Sequence, residues 1–394
     1  MQGETRMSAI AGMICWEKNN FDSRPLFTMS RAMLLRGGAQ RRAYLHGSVA
    51  LVQNDEKTAT SKFPLTLSED GNPLTTVMDG TPRLLPSGED LGEALYDPTD
   101  ASTLLRAYRL LGNTLADVLD GEFALAIADE KRGELYLAKD RDGGRPIFYY
   151  EDERGFFFAS ELRALLRTQG ALFRIDVGAL RTHLISPCGV YFAENLYRDA
   201  NALPDGHSAV FSRLGLRLFP NQPKAPQASS PRTSAIPFPE FYVPEEEELS
   251  SMLTELLFAF ETPEFDHLMP TLLHDLSARR EKGTPSRLVI EDPTLCMSVR
   301  YARMRADRIG AIKKVTLTPV VPERFFIKER DLRRLEKTMR SLLASTDTAV
   351  LRSLLGNTWD REILREKNTA RRIRREAMAY QTLLWIEHFP LLLS

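Results

Sequence analysis

The side chains best able to do chemistry are scattered along this chain. Cys15, Cys188 and Cys296 stand too far apart for a metal-ligand spacing and make no disulfide framework, a usage that fits a reducing cytoplasm. Cys15 lies inside an apolar run, where a thiol is a small filler rather than a nucleophile. His207, in Leu203-Pro-Asp-Gly-His207, is the one histidine that tempts as a catalytic base. Arg371, Arg372, Arg374 and Arg375 cluster, which would suit an acidic partner or RNA. Glu362, Glu366 and Glu376 are interspersed and no aromatic platform accompanies them, so the cluster reads as a solvated basic face. Between Pro239 and Leu288 the only glycine is Gly283, so that stretch holds no glycine loop able to cradle phosphates. No metal site and no cofactor is expected.

The elements that would have to position any site are easier to read. In residues 119–166 short apolar runs alternate with turn clusters. Phe123 to Ala128 is nearly all apolar, as in a strand buried on both faces. Asp129 to Gly133 is a turn, Glu134 to Ala138 a strand, Asp140 to Gly144 a turn and Pro146 to Tyr150 a strand. Asp152 to Gly155 turns again before a strand from Phe156 to Ala159. Ser160 then caps a helix whose Leu162, Leu165 and Leu166 share a face. The expected arrangement is an antiparallel meander closed by a helix. Ser8 to Trp16 reads as a further buried strand, too short and without the basic lead-in of a signal peptide. Ser23 to Leu35 reads as an amphipathic helix and Gly47 to Val52 as a strand.

The wording of this region carries a resemblance. LDGEFALAIADEKRGELYLAKDR, RPIFYY and FFFASELRALL resemble the N-terminal glutaminase domain of asparagine synthetases. These are class II glutamine amidotransferases, so the resemblance implies an α+β αββα sandwich of the N-terminal-nucleophile hydrolase type. Residues 173–218 carry it further, and there it implies that His207 is a turn residue of a structural segment. In the family the first strand begins with a cysteine whose thiol attacks and whose free α-amine acts as base. Here that position is Ser8, and Met1 to Met7 stand ahead of it. Ser8 reads as a strand residue in a dead site. A start at Met7 followed by Met removal would instead leave an N-terminal serine nucleophile.

The other site positions depart as well. Arg36 and Gly37 match the family's His-Arg-Gly-Pro-Asp, and the rest of that motif does not. An arginine that clamps the glutamine carboxylate is expected near Val52-Gln-Asn-Asp-Glu56, where none stands. In Thr75-Thr-Val-Met-Asp-Gly80, Asp79 occupies the place of the oxyanion-donating asparagine and Gly80 matches its neighbour. An ionised aspartate accepts hydrogen bonds only, the reverse of what an oxyanion needs. Thr81 replaces the glutamate that helps hold the substrate amine. Asp100 matches an aspartate that contacts that amine, but it also reads as the N-cap of a helix from Ser102 to Leu111.

Residues 220–239 are rich in Pro, Ser, Ala and Gln and read as a linker between domains 1–219 and 240–394. The second domain resembles patches of the synthetase half, a mainly helical remnant of an α/β ATP-pyrophosphatase domain. A helix opens after Pro244 with acids in its first turn. Leu268 to Arg280, Glu329 to Leu355 and Trp359 to Leu393 are expected to be helical. Glu261 to Asp266, Arg287 to Asp292 and Ser298 to Arg303 resemble later synthetase segments, and only Asp292 of the acidic motif matches.

The formal net charge of −1, from 52 Lys and Arg against 53 Asp and Glu, gives no chain-wide attraction to nucleic acid or membrane. No apolar run is long enough to span a membrane. The expectation is a cytoplasmic pseudoenzyme, a scaffold or regulatory partner of an active homologue or of a peptide-tailoring enzyme, with a homodimer as in the family. The alternative is a residual amidotransferase or amidohydrolase using Ser8. A third reading is a cationic ligand held by Asp79 and Asp100.

Overall fold

The computed structural model describes residues 8–16, 22–55, 63–69, 71–85, 101–140, 145–168, 174–185, 196–221, 245–260, 329–388 and 392–393. The chain forms two compact units. The first comprises residues 1–172 and 199–230, the second residues 173–198 and 231–394. Residues 173–198 therefore group with the second unit.

In chain order the first unit contains β1 (Ala9–Cys15), α1 (Arg24–Ala32), α2 (Leu34–Gly37), β2 (Gln40–His46), β3 (Val49–Asp55), β4 (Leu65–Glu69), β5 (Asn72–Gly80) and β6 (Arg83–Leu84). It continues with α3 (Ala101–Leu111), a 3-10 turn (Gly112–Val118), β7 (Leu119–Asp120), β8 (Phe123–Asp129), β9 (Glu134–Lys139), β10 (Phe148–Asp152), β11 (Gly155–Ala159) and α4 (Leu162–Leu166). After β12 (Arg174–Ile175) and α5 (Val177–Ile185), which belong to the second unit, come β13 (Asn201–Ala202), β14 (His207–Ser212) and β15 (Gly215–Pro220).

Two six-stranded sheets face each other, ordered β13-β10-β11-β1-β3-β2 and β15-β14-β9-β8-β5-β4. Ile10, Ile14, Leu51, Phe156 and Phe158 of the first sheet meet Ala124, Ala126, Leu135 and Leu137 of the second in one core. Phe123, Leu125 and Ile127 point the other way, onto Leu104, Leu105 and Tyr108 of α3 and Leu115 of the 3-10 turn. The strand is apolar at successive positions because each of its faces lines a different core. Helices α1 and α4 cover the outer face of the first sheet, and α3 covers the second. The layers are thus helix, sheet, sheet, helix.

The expected single meander is two hairpins in different sheets. β8 pairs with β9 in one and β10 with β11 in the other. Between β9 and β10 the chain passes from one sheet to the other, a step that local apolar spacing does not encode. Ser160 is not the cap of α4: Glu161 holds the cap position, and the Ser160 hydroxyl accepts the Ile10 N–H at 2.9 Å. The helix expected from Ser23 to Leu35 breaks at Met33 into α1 and α2. Strand β2 was not foreseen, because its polar and apolar residues alternate weakly.

In the second unit β12 pairs in parallel with β16 (Leu392–Leu393). Its helices are α5, α6 (Glu246–Phe260), α7 (Glu329–Ala344), α8 (Ala349–Leu355), α9 (Trp359–Leu364) and α10 (Thr369–His388). The long helices α6, α7 and α10 pack on one another. The Ser250 hydroxyl meets the Tyr380 hydroxyl at 2.8 Å, and the Tyr197 ring meets Trp385 edge-on at 6.0 Å. The basic cluster is not wholly a solvated face: Arg372 pairs with Glu336 at 2.5 Å and Arg375 with Glu366 at 3.1 Å. The segments 261–328, with their synthetase-like patches and expected helix 268–280, lie outside the described residues, as do most of the linker, Cys188 and Cys296. No helix among the described residues is long and apolar enough to cross a membrane.

Candidate active site

Ser8 stands at the head of β1, between the ends of the two sheets. Its backbone N–H donates to Asp79 Oδ1 of β5 at 2.9 Å. Its hydroxyl donates to Asp55 Oδ1 of β3 at 2.7 Å. One residue thus ties both sheets, because β1 and β3 lie in one and β5 in the other.

Asp79 is wholly buried, yet its carboxylate is fully engaged. Arg36 of α2 reaches Oδ2 through Nη2 at 2.8 Å and Nε at 3.3 Å. Arg145, just ahead of β10, reaches Oδ1, and its other arm lies 3.8 Å from Glu122. Both guanidinium groups are buried as well. Burial alone would raise the Asp79 carboxyl; Arg145, then Arg36, with the Ser8 N–H, override it and hold the group below the usual carboxylate range. Asp79 is therefore an ionised centre of a three-residue ion cluster. Such a cluster is costly to break, since removing one member leaves buried charge uncompensated.

The segment expected to have lost the carboxylate clamp is also filled from within. Gln53, Asn54 and Asp55 are buried at the end of β3. Asp55 accepts from Gln53 Nε2 at 3.1 Å and from Arg42 at 3.3 Å, besides Ser8. Gln53 Oε1 accepts the Met78 N–H at 2.9 Å. Asn54 exchanges two bonds with Ser30, at 2.6 and 2.8 Å. Gly37 is required where α2 passes this strand, because a Cβ there would stand 2.6 Å from Asn54 Cβ. Gly80 has φ +92°, and a Cβ would meet the Glu122 carbonyl at 2.2 Å, so only glycine fits.

The structure sets Ser8 against Asp79, with Gly80 next to it in the chain. Thr81 adjoins them but is exposed, its N–H donating to the Glu122 carbonyl at 3.1 Å. Asp100 lies outside the described residues. Three members were missed. Arg36 was seen only as a family match, Arg145 only as the first letter of RPIFYY, and Arg42 not at all. Their separation along the chain leaves no spacing signal. His207 is not the expected turn residue: it is the first residue of β14, following the turn at Asp205 and Gly206, and its Nδ1 contacts the Asp205 carbonyl at 2.9 Å. Cys15 is buried, and burial pushes its thiol up to about 11, as expected of an unreactive filler.

The site faces a question of ancestry that the comparisons answer. A glutamine amidotransferase domain model matches residues 7–220, more than half of the chain. The chain belongs to the glutamine amidotransferase family. It is of class II and homologous to asparagine synthetases. Asparagine synthetase [glutamine-hydrolyzing] 3 of Bacillus subtilis is 29% identical over 167 residues, which cover 40% of this chain and 26% of that protein. A probable asparagine synthetase of Acanthamoeba polyphaga mimivirus is 45% identical over 69 residues, 17% of this chain and 12% of that one. The alignment thus spans about a quarter or less of the curated relatives' length. Among solved structures, the glutamine phosphoribosylpyrophosphate amidotransferase of B. subtilis gives a TM-score of 0.40 at 14% identity, covering 78% of this chain and 65% of that chain.

Chemically, the site offers a serine hydroxyl donating to one carboxylate, Asp55, and a backbone N–H donating to a second, Asp79. Among the described residues no group of histidine, cysteine or carboxylate side chains could hold a metal ion.

Proposed function

We propose that this is a non-hydrolysing member of the family, a class II amidotransferase fold whose glutamine site has become a structural ion cluster. The observation that carries the reading is the state of Asp79: buried, ionised and bonded by Arg36, Arg145 and the Ser8 N–H. At that position an ionised carboxylate has no hydrogen to donate to a tetrahedral oxyanion, since it only accepts hydrogen bonds. The two arginines are already bonded to Asp79, which reduces, without cancelling, what they offer an incoming carboxylate. The same occupation counts against a cationic ligand at Asp79. In this reading the second unit is a shortened synthetase domain, and the protein acts as a cytoplasmic scaffold or regulatory partner of an active homologue or a peptide-tailoring enzyme.

Glutamate release from glutamine is the test, measured for the full chain and for a version beginning at Ser8. Release no greater than from the corresponding Ser8→Ala proteins is expected. Release well above that control would overturn the proposal. It would favour a second reading, residual amide hydrolysis by Ser8, which the 2.7 Å bond from its hydroxyl to Asp55 supports. An α-amine at Ser8 would be poorly placed as a base, since its hydrogen-bond partner is the ionised Asp79, which favours the ammonium form.

A further inference from the structure

From Ser23 to Asn54 the chain carries five arginines and no aspartate or glutamate, although the whole chain balances 52 Lys and Arg against 53 Asp and Glu. Two of the five turn inward, Arg36 to Asp79 and Arg42 to Asp55. The other three, Arg24, Arg31 and Arg41, are exposed. Arg24 pairs with Asp22, just ahead of this run, at 2.9 Å. The Arg41 guanidinium lies over the Phe27 ring at 5.0 Å. The same surface is apolar and uncovered. Helix α4 lies over β10 and β11, and α1 over β1 and β3, so the helical layer on the first sheet stops one strand short of β2. The contact between Arg41 and Phe27 fixes the side of β2 that faces α1, and alternation puts Ala43 and Leu45 on that side too. All three are exposed, whereas Tyr44 points the other way, to Glu130 and the core between the sheets. Leu45 is 46% exposed and Leu34, at the head of α2, 48%, so neither leucine is buried by this chain's own helices.

We infer that this face docks an acidic amphipathic helix of a partner protein, laid beside α1 over the outer face of β2. A helix is about 10 Å across and neighbouring strands lie about 4.8 Å apart, so one helix covers two strands. The layer therefore has room for a third helix on β2 against the flank of α1. Charge selects the sign of the occupant. Three exposed guanidinium groups, on elements that carry no carboxylate of their own, attract acidic side chains and repel basic ones. The apolar residues select its form. A leucine-bearing stripe on one helical face meets Leu34, Ala43 and Leu45, while flanking glutamates or aspartates reach Arg31 and Arg41. RNA fits less well, because the Phe27 ring is already covered by Arg41 and offers no stacking platform. A bilayer fits less well too, since two leucines and an alanine bury little area in it. One helix on one strand is a small interface, so binding belongs in the weak, reversible range. The inference rests on the scaffold reading above and gives that partner its chemistry.

The test is fluorescence anisotropy of the full chain with a labelled, alanine-based helical peptide of about 16 residues, leucines along one face and glutamates beside them. Saturable binding is expected, with a Kd of ~10–100 μM. Peptides with lysine in place of glutamate, or serine in place of leucine, should each bind about tenfold more weakly or worse. Arg31→Glu and Leu45→Lys change exposed residues, so the urea midpoint should hold while peptide affinity falls about fivefold or more. Leu214→Lys, at a leucine 92% exposed in the turn between β14 and β15, should leave affinity unchanged. A benzophenone on the apolar face of the peptide should label the protein between Phe27 and Leu45. No saturation by ~500 μM peptide, equal binding of the lysine peptide, an equal effect of Leu214→Lys, or labelling confined to other residues would overturn the inference. So would a short single-stranded RNA or phosphatidylserine vesicles binding through Arg31 and Leu45 where the acidic peptide does not. Glutamine hydrolysis above its Ser8→Ala control would fail the scaffold reading and leave this face standing, whereas absent peptide binding would fail the face alone.

Discussion

Asp79 is where the residue scale decides the reading, and its energetics can be tested directly. Asp79→Asn preserves shape but leaves Arg36 and Arg145 buried together with no full counter-charge. The expected loss is about 3–5 kcal/mol of unfolding free energy, read from urea midpoints near neutral pH. The pH dependence has a definite sign. The folded carboxyl lies below its ordinary value, so its stabilisation is complete above about pH 4 and is lost as pH falls through the lower folded value. The gap between wild type and Asp79→Asn should therefore be constant near neutrality and narrow below pH 4. A gap that stays unchanged into acid would show that Asp79 is not the ionised centre of the cluster. The resemblance singles out Ser8, Asp79 and Gly80. That two arginines bond Asp79 is not legible in the sequence, because Arg36 and Arg145 are brought to it only by the fold.

Elements show a similar division. The strands Phe123–Asp129 and Glu134–Lys139 were legible because burial on both faces leaves an unbroken apolar run. Strand β2 was not, since its residues are half-buried or exposed along its length. Sheet membership was hidden too, since a turn reads alike whether it returns the chain to the same sheet or sends it to another. Gly12, inside β1, tests how tightly the side chains of its two neighbouring strands, β11 and β3, close over it. A Cβ there would stand 2.4 Å from Phe158 Cε1 and 2.6 Å from Leu51 Cδ2. Gly12→Ala should destabilise by about 1–3 kcal/mol, seen as a lower urea midpoint, and Phe158→Leu in the same chain should recover part of it. Helices α7 and α10 make the opposite case. Arg340 bridges Glu336 at 2.5 Å and Glu376 at 2.9 Å. Burial raises the Glu376 carboxyl despite Arg340, so its ionised form is disfavoured in the folded chain, and stability falls as pH rises through the ordinary carboxylate range to the folded value. Glu376→Gln should thus cost less than about 1 kcal/mol at neutral pH. Arg340→Ala, which removes the ion-pair partner of Glu376 and leaves Glu336 to Arg372 alone, should cost about 2 kcal/mol. Thermal melts of the two variants would check the order.

At the scale of the whole molecule, the chain leaves its first unit and comes back. Residues 173–198 pack with the second unit, and the chain returns at Asp199 to complete the sheets with β13, β14 and β15. The resemblance runs through this segment without a change in character. What the segment buries is nonetheless specific: Ile175, Leu180, Leu196 and Tyr197 are all inaccessible to solvent or nearly so. Tyr197 meets Trp385, and Ile175 pairs with Leu393. A fragment ending at residue 221 would therefore keep both sheets yet expose this apolar set. It should bind a hydrophobic dye and aggregate, whereas the same fragment with residues 173–198 replaced by a Gly/Ser linker should remain soluble and unfold cooperatively. If the uncut fragment proved equally soluble and dye-silent, the segment would have to find its cover within the first unit, and the division of the chain into these two units would fail.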